Sequence, residues 1–454
     1  MQNVRERLQR ANWLDTLAGR RSRRFGLGMK IPAGPLAYSS RHPAQPLSVA
    51  EESALAFAAA GITGHALADL CFAPGQGGNI MNGFVGRAAG SGDGIQAVAL
   101  FVLNDQGTWL LRRPRDFAPA DLKEIIRLGR AGAFAEVYQR SRVLVKNTRA
   151  TPSLEPLFNI NCNQWSAHAA GTTYFLPVND LTFLYINGLL EIFNETTGAY
   201  VLDERANFRP AGLLPFARSR GGHLHDDPKD GRVVTIQIVE RMVTEFVTVE
   251  QGMMLQNLAL MAQALGLGGF PNFANHEFGW FQALGFRLGT MPASRYLGAP
   301  WWVAAGMKLL SRDLPVPYPL GLEVDGQLLL KAYCPPYFAS MTEAVRAVVE
   351  MKRAAFNQAA TSGVWKSGWA GPEAISESSG RAIAATTAYC EYVWKTYGRF
   401  PAALASFRTV VGYQACHLDV EFYERYYQPE ALTSTQREDF AAVMQSRLGS
   451  APLV

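Results

Sequence analysis

Residues 250–269, Glu-Gln-Gly-Met-Met-Leu-Gln-Asn-Leu-Ala-Leu-Met-Ala-Gln-Ala-Leu-Gly-Leu-Gly-Gly, leave the backbone little choice. Apolar residues recur at Met254, Leu258, Met261, Ala262 and Leu265, the spacing of one buried helix face. Gly252 stands where the helix opens, and its missing side chain lets another group approach the backbone. Gly266, Gly268 and Gly269 close it, since a glycine just past the last periodic residue is a common stop. Taken alone, this is a well-capped core helix.

The chain has 454 residues, enough for two or three domain-sized units. With 48% hydrophobic and 18% charged residues, it is expected to be soluble and to bury a sizeable core. No run of 18 apolar residues exists, so no spanning helix is predicted. The longest apolar patch, residues 299–307 (Ala-Pro-Trp-Trp-Val-Ala-Ala-Gly-Met), is too short and is broken by Gly and Pro. The charged first ten residues lead into no apolar segment, so they are not a secretory signal. Five widely spaced cysteines, none in a CxxC pair, point to reduced thiols and a cytoplasmic location. A net charge of +5, with short basic clusters lacking interleaved aromatics, argues against a nucleic-acid partner. No membrane partner is expected either.

Residues 2–19 carry Val4, Leu8, Ala11 and Leu14 on one side, the pattern of an amphipathic helix. Residues 20–24, Arg-Arg-Ser-Arg-Arg, then put four guanidiniums and a hydroxyl in five positions. Arg makes forked bonds to phosphate oxygens and Ser adds a donor, so the run suits an anion; it also suits a solvated basic turn. Ser48, with Glu51 three residues later, predicts a capped helix through Leu55 and Phe57 to Gly61. Residues 86–94 form a glycine-dense loop able to turn backbone N–H groups toward a ligand. A hairpin follows, with strands over 95–103 and 108–112 and a turn at 104–107. Helices are predicted over 121–129 and 181–193, and a helix with a short strand over 133–146. Residues 218–232 read as an exposed loop or lid, and 233–239 as a strand. Residues 271–296, rich in Phe, Trp and Gly, suit a loop around a pocket or a packed turn; 314–323 and 328–333 read as strands. After Pro335-Pro336 the pattern gives helices over 341–358, 379–397 and 433–448 with no clear strand between. A boundary near 337 follows. It divides a domain of residues 1–337, with a helical or loop insertion over about 150–232, from a helical C-terminal extension, residues 338–454.

Three pieces stand in a telling order: Arg20-x-Ser22-x-Arg24, Arg87-Ala-Ala-Gly-Ser91 before a strand, and Gln251-Gly252 opening a helix that ends Ala-Leu-Gly-Leu-Gly. Together they resemble the flavin-dependent nitroreductase family. Residues 47–64 and 87–101 are most similar to the branch that includes the azoline dehydrogenases of peptide biosynthesis. The resemblance covers about residues 18–335, poorly over 150–232, and the final 120 or so residues match nothing in that family. It implies an α+β fold of three layers, a central and mostly antiparallel sheet wrapped by helices, with FMN at the interface of a homodimer. It implies that Arg20 and Ser22 hold the FMN phosphate, that Arg24 faces the pyrimidine edge and that Ser91 also bonds the flavin. The backbone of Gln251 and Gly252 would lie against the reactive ring nitrogen, and Lys331 is the nearest candidate to complete the phosphate site. A cation at the pyrimidine edge stabilises the reduced ring, and a helix N-terminus at Gly252 would add positive potential. The chain departs from the family's pattern in Gln251, where an acidic residue is frequent, and in Gly90, where Pro is common. No counterpart of the azoline dehydrogenases' proton-removing Lys and Tyr stands out, so no catalytic residue is assigned.

The expected activity is therefore that of an FMN-dependent oxidoreductase. It would move a hydride between NAD(P)H, or an organic or peptide-derived substrate, and an acceptor such as a nitro compound, a quinone or dioxygen. The alternative is a flavin-binding protein without redox turnover whose C-terminal helices recognise a partner. Tyr333, Tyr337 and Trp365 sit in stretches that suit walls of a flavin pocket capped by that C-terminal segment. His223-x-His225-Asp226 reads as polar loop rather than a metal site, and no metal is expected. Residues 417–427 (His-Leu-Asp-Val-Glu-Phe-Tyr-Glu-Arg-Tyr-Tyr) read as an aromatic-packed helix with Asp419 and Tyr423 on one face.

Overall fold

The predicted hairpin forms the middle of the fold. In the computed structural model, Val98–Asn104 and Gly107–Leu111 pair antiparallel through a turn at Asn104–Gly107. The structure describes residues 4–65, 85–92, 94–153, 155, 160–273, 276–361, 366 and 377–448. Arg142–Lys146 extends the hairpin on one side and Thr173–Asp180 on the other. Gly412–Cys416 follows, then Gly268–Asn272, while Phe407–Arg408 pairs with the end of Thr173–Asp180. These seven strands make one wholly antiparallel sheet.

Its central strands are apolar on both faces because both faces are covered. Ala99, Phe101 and Leu103 point into one core with Leu176 and Val178; Val98, Leu100 and Val102 point into a second with Phe175 and Tyr413. The helices Leu181–Ile192 and Gly380–Tyr397 cover the first face, and Val49–Ala60 covers the second. Helix, sheet and helix thus form three layers, an α+β arrangement. Val49–Ala60 carries the predicted capping box, with Ser48 accepting from the Glu51 N–H and Glu51 accepting from the Ser48 N–H.

The long helix differs from expectation. It runs over Ile236–Ala264, 29 residues, so only Val233–Thr235 of the expected 233–239 strand is extended. Its first half packs Val239, Val243 and Val247 into one core, and its second half packs Met254, Leu258 and Ala262 into the other. The changeover falls at Glu250–Gln251, where Glu250 accepts from the Val98 N–H (3.1 Å) and Gln251 donates to the Pro177 carbonyl (3.0 Å). Gly252 therefore lies inside a helix and not at its N-terminus, so no helix-end potential acts there. A side chain at Gly252 would meet nothing within 4 Å. The predicted stop is present: Gly266 takes φ +70°, and a Cβ there would lie 2.2 Å from the Thr435 carbonyl oxygen.

The expected organisation around residue 337 is corrected in two places. Residues 150–232 are no insertion, because they supply Thr173–Asp180, a fully buried strand of the main sheet. Residues 338–454 are no purely helical extension, because Gly412–Cys416 lies between Thr173–Asp180 and Gly268–Asn272. Elsewhere, the one helix expected over 2–19 is, from Val4 onward, two helices, Val4–Arg10 and Trp13–Gly19, broken where Asn12 caps the second. Residues 271–296 contain a helix, Glu277–Leu284, and a strand, Arg287–Pro292, rather than a loop.

Candidate functional site

The 20–24 run is extended, and its alternate residues go to different surroundings. Arg23 turns inward. It donates to the carbonyls of Ala431 (2.6 Å) and Gly19 (3.1 Å) and to Gln263 Oε1 (3.0 Å), while its own carbonyl accepts from the Gly269 N–H (2.9 Å). Arg24 turns the other way, donates to Asn163 Oδ1 (2.9 Å), and lies 4.9 Å from the Trp165 ring centre and 4.8 Å from that of Phe270. Two rings and an amide thus fix the direction of the charge. Burial lowers the pKa of both guanidiniums.

Ser22 and Arg24 line a cavity of about 570 Å³ together with Arg21, Ile31, Leu36 and Trp165. Phe422, Tyr423, Tyr427 and Glu430 complete it from the C-terminal part of the chain. That size is usual for a small-molecule site. Phe25 stacks between Trp165 and Phe422, with ring centres 6.1 and 4.2 Å away. The Tyr423 hydroxyl accepts from the Phe25 N–H (3.1 Å), and burial raises its pKa. Among the described residues, the side chains of Arg20, Arg21 and Ser22 make no hydrogen bond or ion pair.

The other expected site residues lie elsewhere. Ser91 donates to Glu250 Oε2 (2.8 Å) and so fastens its loop to the long helix. Arg87 is buried beside the same carboxylate at 4.0 Å and donates to the Val98 carbonyl; burial lowers its pKa to about 10. The Gln251 side chain is buried, with its Oε1 lacking a partner. Gln263, which touches Arg23, is twelve positions further along the helix, about 18 Å by helical rise. Lys331 lies over the rings of Phe338 (4.6 Å) and Tyr333 (5.8 Å). The cavity walls from the C-terminal segment are Phe422, Tyr423 and Tyr427, in place of the expected Tyr333 and Tyr337. Trp365 lies outside the described residues. The residues present fit FMN in two respects, free donors for a phosphate and a fixed cation among aromatic rings. The expected contributions of Ser91, Gln251 and Lys331 do not converge on that place.

Two histidine groups are explained without a ligand. His223 Nε2 meets the Phe193 carbonyl (2.9 Å), and His225 Nδ1 meets Asp230 (2.8 Å). His417 has Asp439 at 2.8 Å from Nδ1 and Glu51 at 3.5 Å from Nε2. The three could surround a metal ion, but Arg7 also bonds Glu51 (2.9 Å) and Asp439 (2.8 Å), so two cations already balance two carboxylates. Burial alone would lower the His417 pKa, but hydrogen bonds and charge from Asp439 and Glu51 raise it to about 9. Burial would raise that of Glu51; His417 and Ser48 bring it down to about 2. The cluster closes one side of a second cavity, about 830 Å³, and ties Val4–Arg10 to Ser434–Leu448. Asp419 does not share a helix face with Tyr423; it caps Val420–Tyr426 by accepting from the Phe422 N–H (3.2 Å).

No protein-family model matches the chain, and no curated protein does. Among solved structures, it is similar to a provisionally named nitroreductase from Ralstonia eutropha JMP134. The two share 14% identity with a TM-score of 0.29, over 61% of this chain and 76% of that one. An overlap this loose transfers no residue's role.

Proposed function

We propose that the cavity beside Arg24 binds FMN and that the chain is a flavin-dependent oxidoreductase of the nitroreductase type. It would move a hydride between NAD(P)H, or an organic or peptide-derived substrate, and an acceptor such as a nitro compound, a quinone or dioxygen. One observation carries this reading: Arg21 and Ser22, with free donors, border an aromatic cavity in which the Arg24 guanidinium is fixed in direction, and Arg20 adjoins them in sequence. Arg20, Arg21 and Ser22 would hold the phosphate. Arg24 would sit at the pyrimidine edge, held there by Asn163, and Trp165 would exclude water from one side. When bound, the flavin would supply two-electron redox chemistry, and the chain's part is to bind it and set its charge surroundings.

The proposal includes a homodimer. Ile238, Met242, Phe246, Val249 and Met253 recur on one side of the long helix and are 40 to 49% exposed, which supports packing against a second copy. Gly252, with open space beside it, stands next to this stripe.

Reconstitution with FMN tests the reading. The protein should become yellow, and heat release followed by mass analysis should give FMN rather than FAD. Arg24→Ala removes a cation–anion contact of about 1–3 kcal/mol, and about 1.4 kcal/mol corresponds to roughly 30 mV in a two-electron couple. The midpoint potential should then fall by a few tens of millivolts with affinity little changed. Arg20→Ala with Arg21→Ala should instead weaken FMN binding, about tenfold for each 1.4 kcal/mol lost. A protein that ignores added FMN, or variants that shift neither quantity, would sink the proposal.

A further inference from the structure

The helix Trp301–Leu309 is the most exposed apolar element of the described chain, and it buries none of its residues. Trp301 and Leu309 are 82% and 85% exposed, and Leu297, Trp302, Leu310 and Leu314 are 63 to 66% exposed. Single exposed apolar side chains are ordinary; six large ones gathered on one short segment are not. The segment is nonetheless firmly based. Ser294 donates through its N–H (2.8 Å) and hydroxyl (2.7 Å) to Asp313, and the Ala293 N–H donates to the Leu314 carbonyl (2.8 Å). The helix is held out from a closed base and not frayed from the core.

The charges of this segment are mostly positive. Arg295, Lys308 and Arg312 are exposed on this segment, and its one acid, Asp313, is engaged by Ser294. Paired indoles, leucines and a basic rim are the features of an element that lies at a lipid–water boundary. There the indoles sit at headgroup depth and long basic side chains reach back to anionic headgroups. Nine residues rise about 14 Å, far short of the roughly 30 Å hydrocarbon core, so the helix can lie on a bilayer but cannot cross it.

We propose that Trp301–Leu309 docks the protein reversibly on membrane surfaces that contain anionic lipid, in place of the expected lack of a membrane partner. Flotation of the full chain with vesicles tests this, using phosphatidylcholine alone and phosphatidylcholine mixed with phosphatidylserine. The protein should float with the mixed vesicles, less as salt is raised, and little with the neutral ones. Trp301→Ala with Trp302→Ala should lower that partition about tenfold or more, since interfacial binding scales with buried apolar area. Lys308→Glu with Arg312→Glu should abolish the preference for anionic vesicles. All four side chains are exposed, so both variants should unfold at the parent's temperature. No flotation with either composition would overturn the proposal, as would equal binding to neutral vesicles. So would a tryptophan pair variant that floats as before but sediments as a smaller assembly, because the patch would then cover a second copy.

Discussion

Arg23 donates to three oxygens of the protein, whereas Arg24 donates to one and lies between two rings. Adjacent arginines should therefore fail in different ways. Arg23→Met leaves one buried acceptor, Gln263 Oε1, and two half-buried carbonyls without this donor, at about 1–3 kcal/mol for a fully buried group, so urea unfolding should show a clear loss of stability. In the folded fraction, the flavin potential should match the parent's; a variant as stable as the parent would contradict Arg23's structural part. His417 gives a second residue-scale expectation. Removing one partner of a buried ion pair costs about 3–5 kcal/mol, so His417→Ala should be severely destabilised in urea melts. Because the folded His417 pKa is raised from 6.5 to about 9, its stabilisation is complete below about pH 6.5 and fades as pH climbs toward 9. Glu51, brought down from 4.5 to about 2, stabilises above about pH 4.5 and loses that effect as pH falls toward 2. Urea midpoints across pH should peak between those limits, and His417→Ala should flatten the alkaline side. The Arg-x-Ser-x-Arg run was legible in sequence because its chemistry is contiguous. Asn163, Trp165, Phe270 and Tyr423 were not, because only folding brings them to Arg24.

At the scale of elements, periodicity found what has one wet face or a clear cap. The hairpin, Val49–Ala60, Pro119–Arg130 and Leu181–Ile192 all formed near their predicted bounds. The first half of the long helix escaped notice because its outer face carries Ile238, Met242, Phe246 and Val249 where a lone helix would be polar. Gly252 masks the helix further, since glycine inside a helix is normally unfavourable. Gly412–Cys416 escaped for a different reason: all five residues are buried, and one of them is polar. Gln414 is accommodated by donating to the Ser166 carbonyl (2.7 Å) and accepting from Asn272 Nδ2 (2.6 Å), so the strand shows no alternation. Ending the chain at residue 337 takes away this strand as well as Phe422, Tyr423 and Tyr427. We expect that product to be insoluble or unable to retain FMN. A soluble yellow fragment with the parent's spectrum would show that the sheet closes without it.

At the scale of the whole molecule, the stripe on the long helix should govern assembly. Burying a methionine contributes about 1.5–3 kcal/mol, so Met242→Glu should weaken self-association at least tenfold, visible by sedimentation equilibrium. A parent protein that stays monomeric at high concentration would remove the homodimer. The place of Gly412–Cys416 in the sheet bears on how the chain is made. During synthesis Thr173–Asp180 and Gly268–Asn272 leave the ribosome early, while the strand that must lie between them is still unmade. Until it arrives, two strand edges face a gap one strand wide, and an open edge pairs readily with any neighbouring chain. A ribosome stalled between residues 272 and 412 would therefore release a sticky product, one that recruits its siblings into aggregates before any question of activity arises.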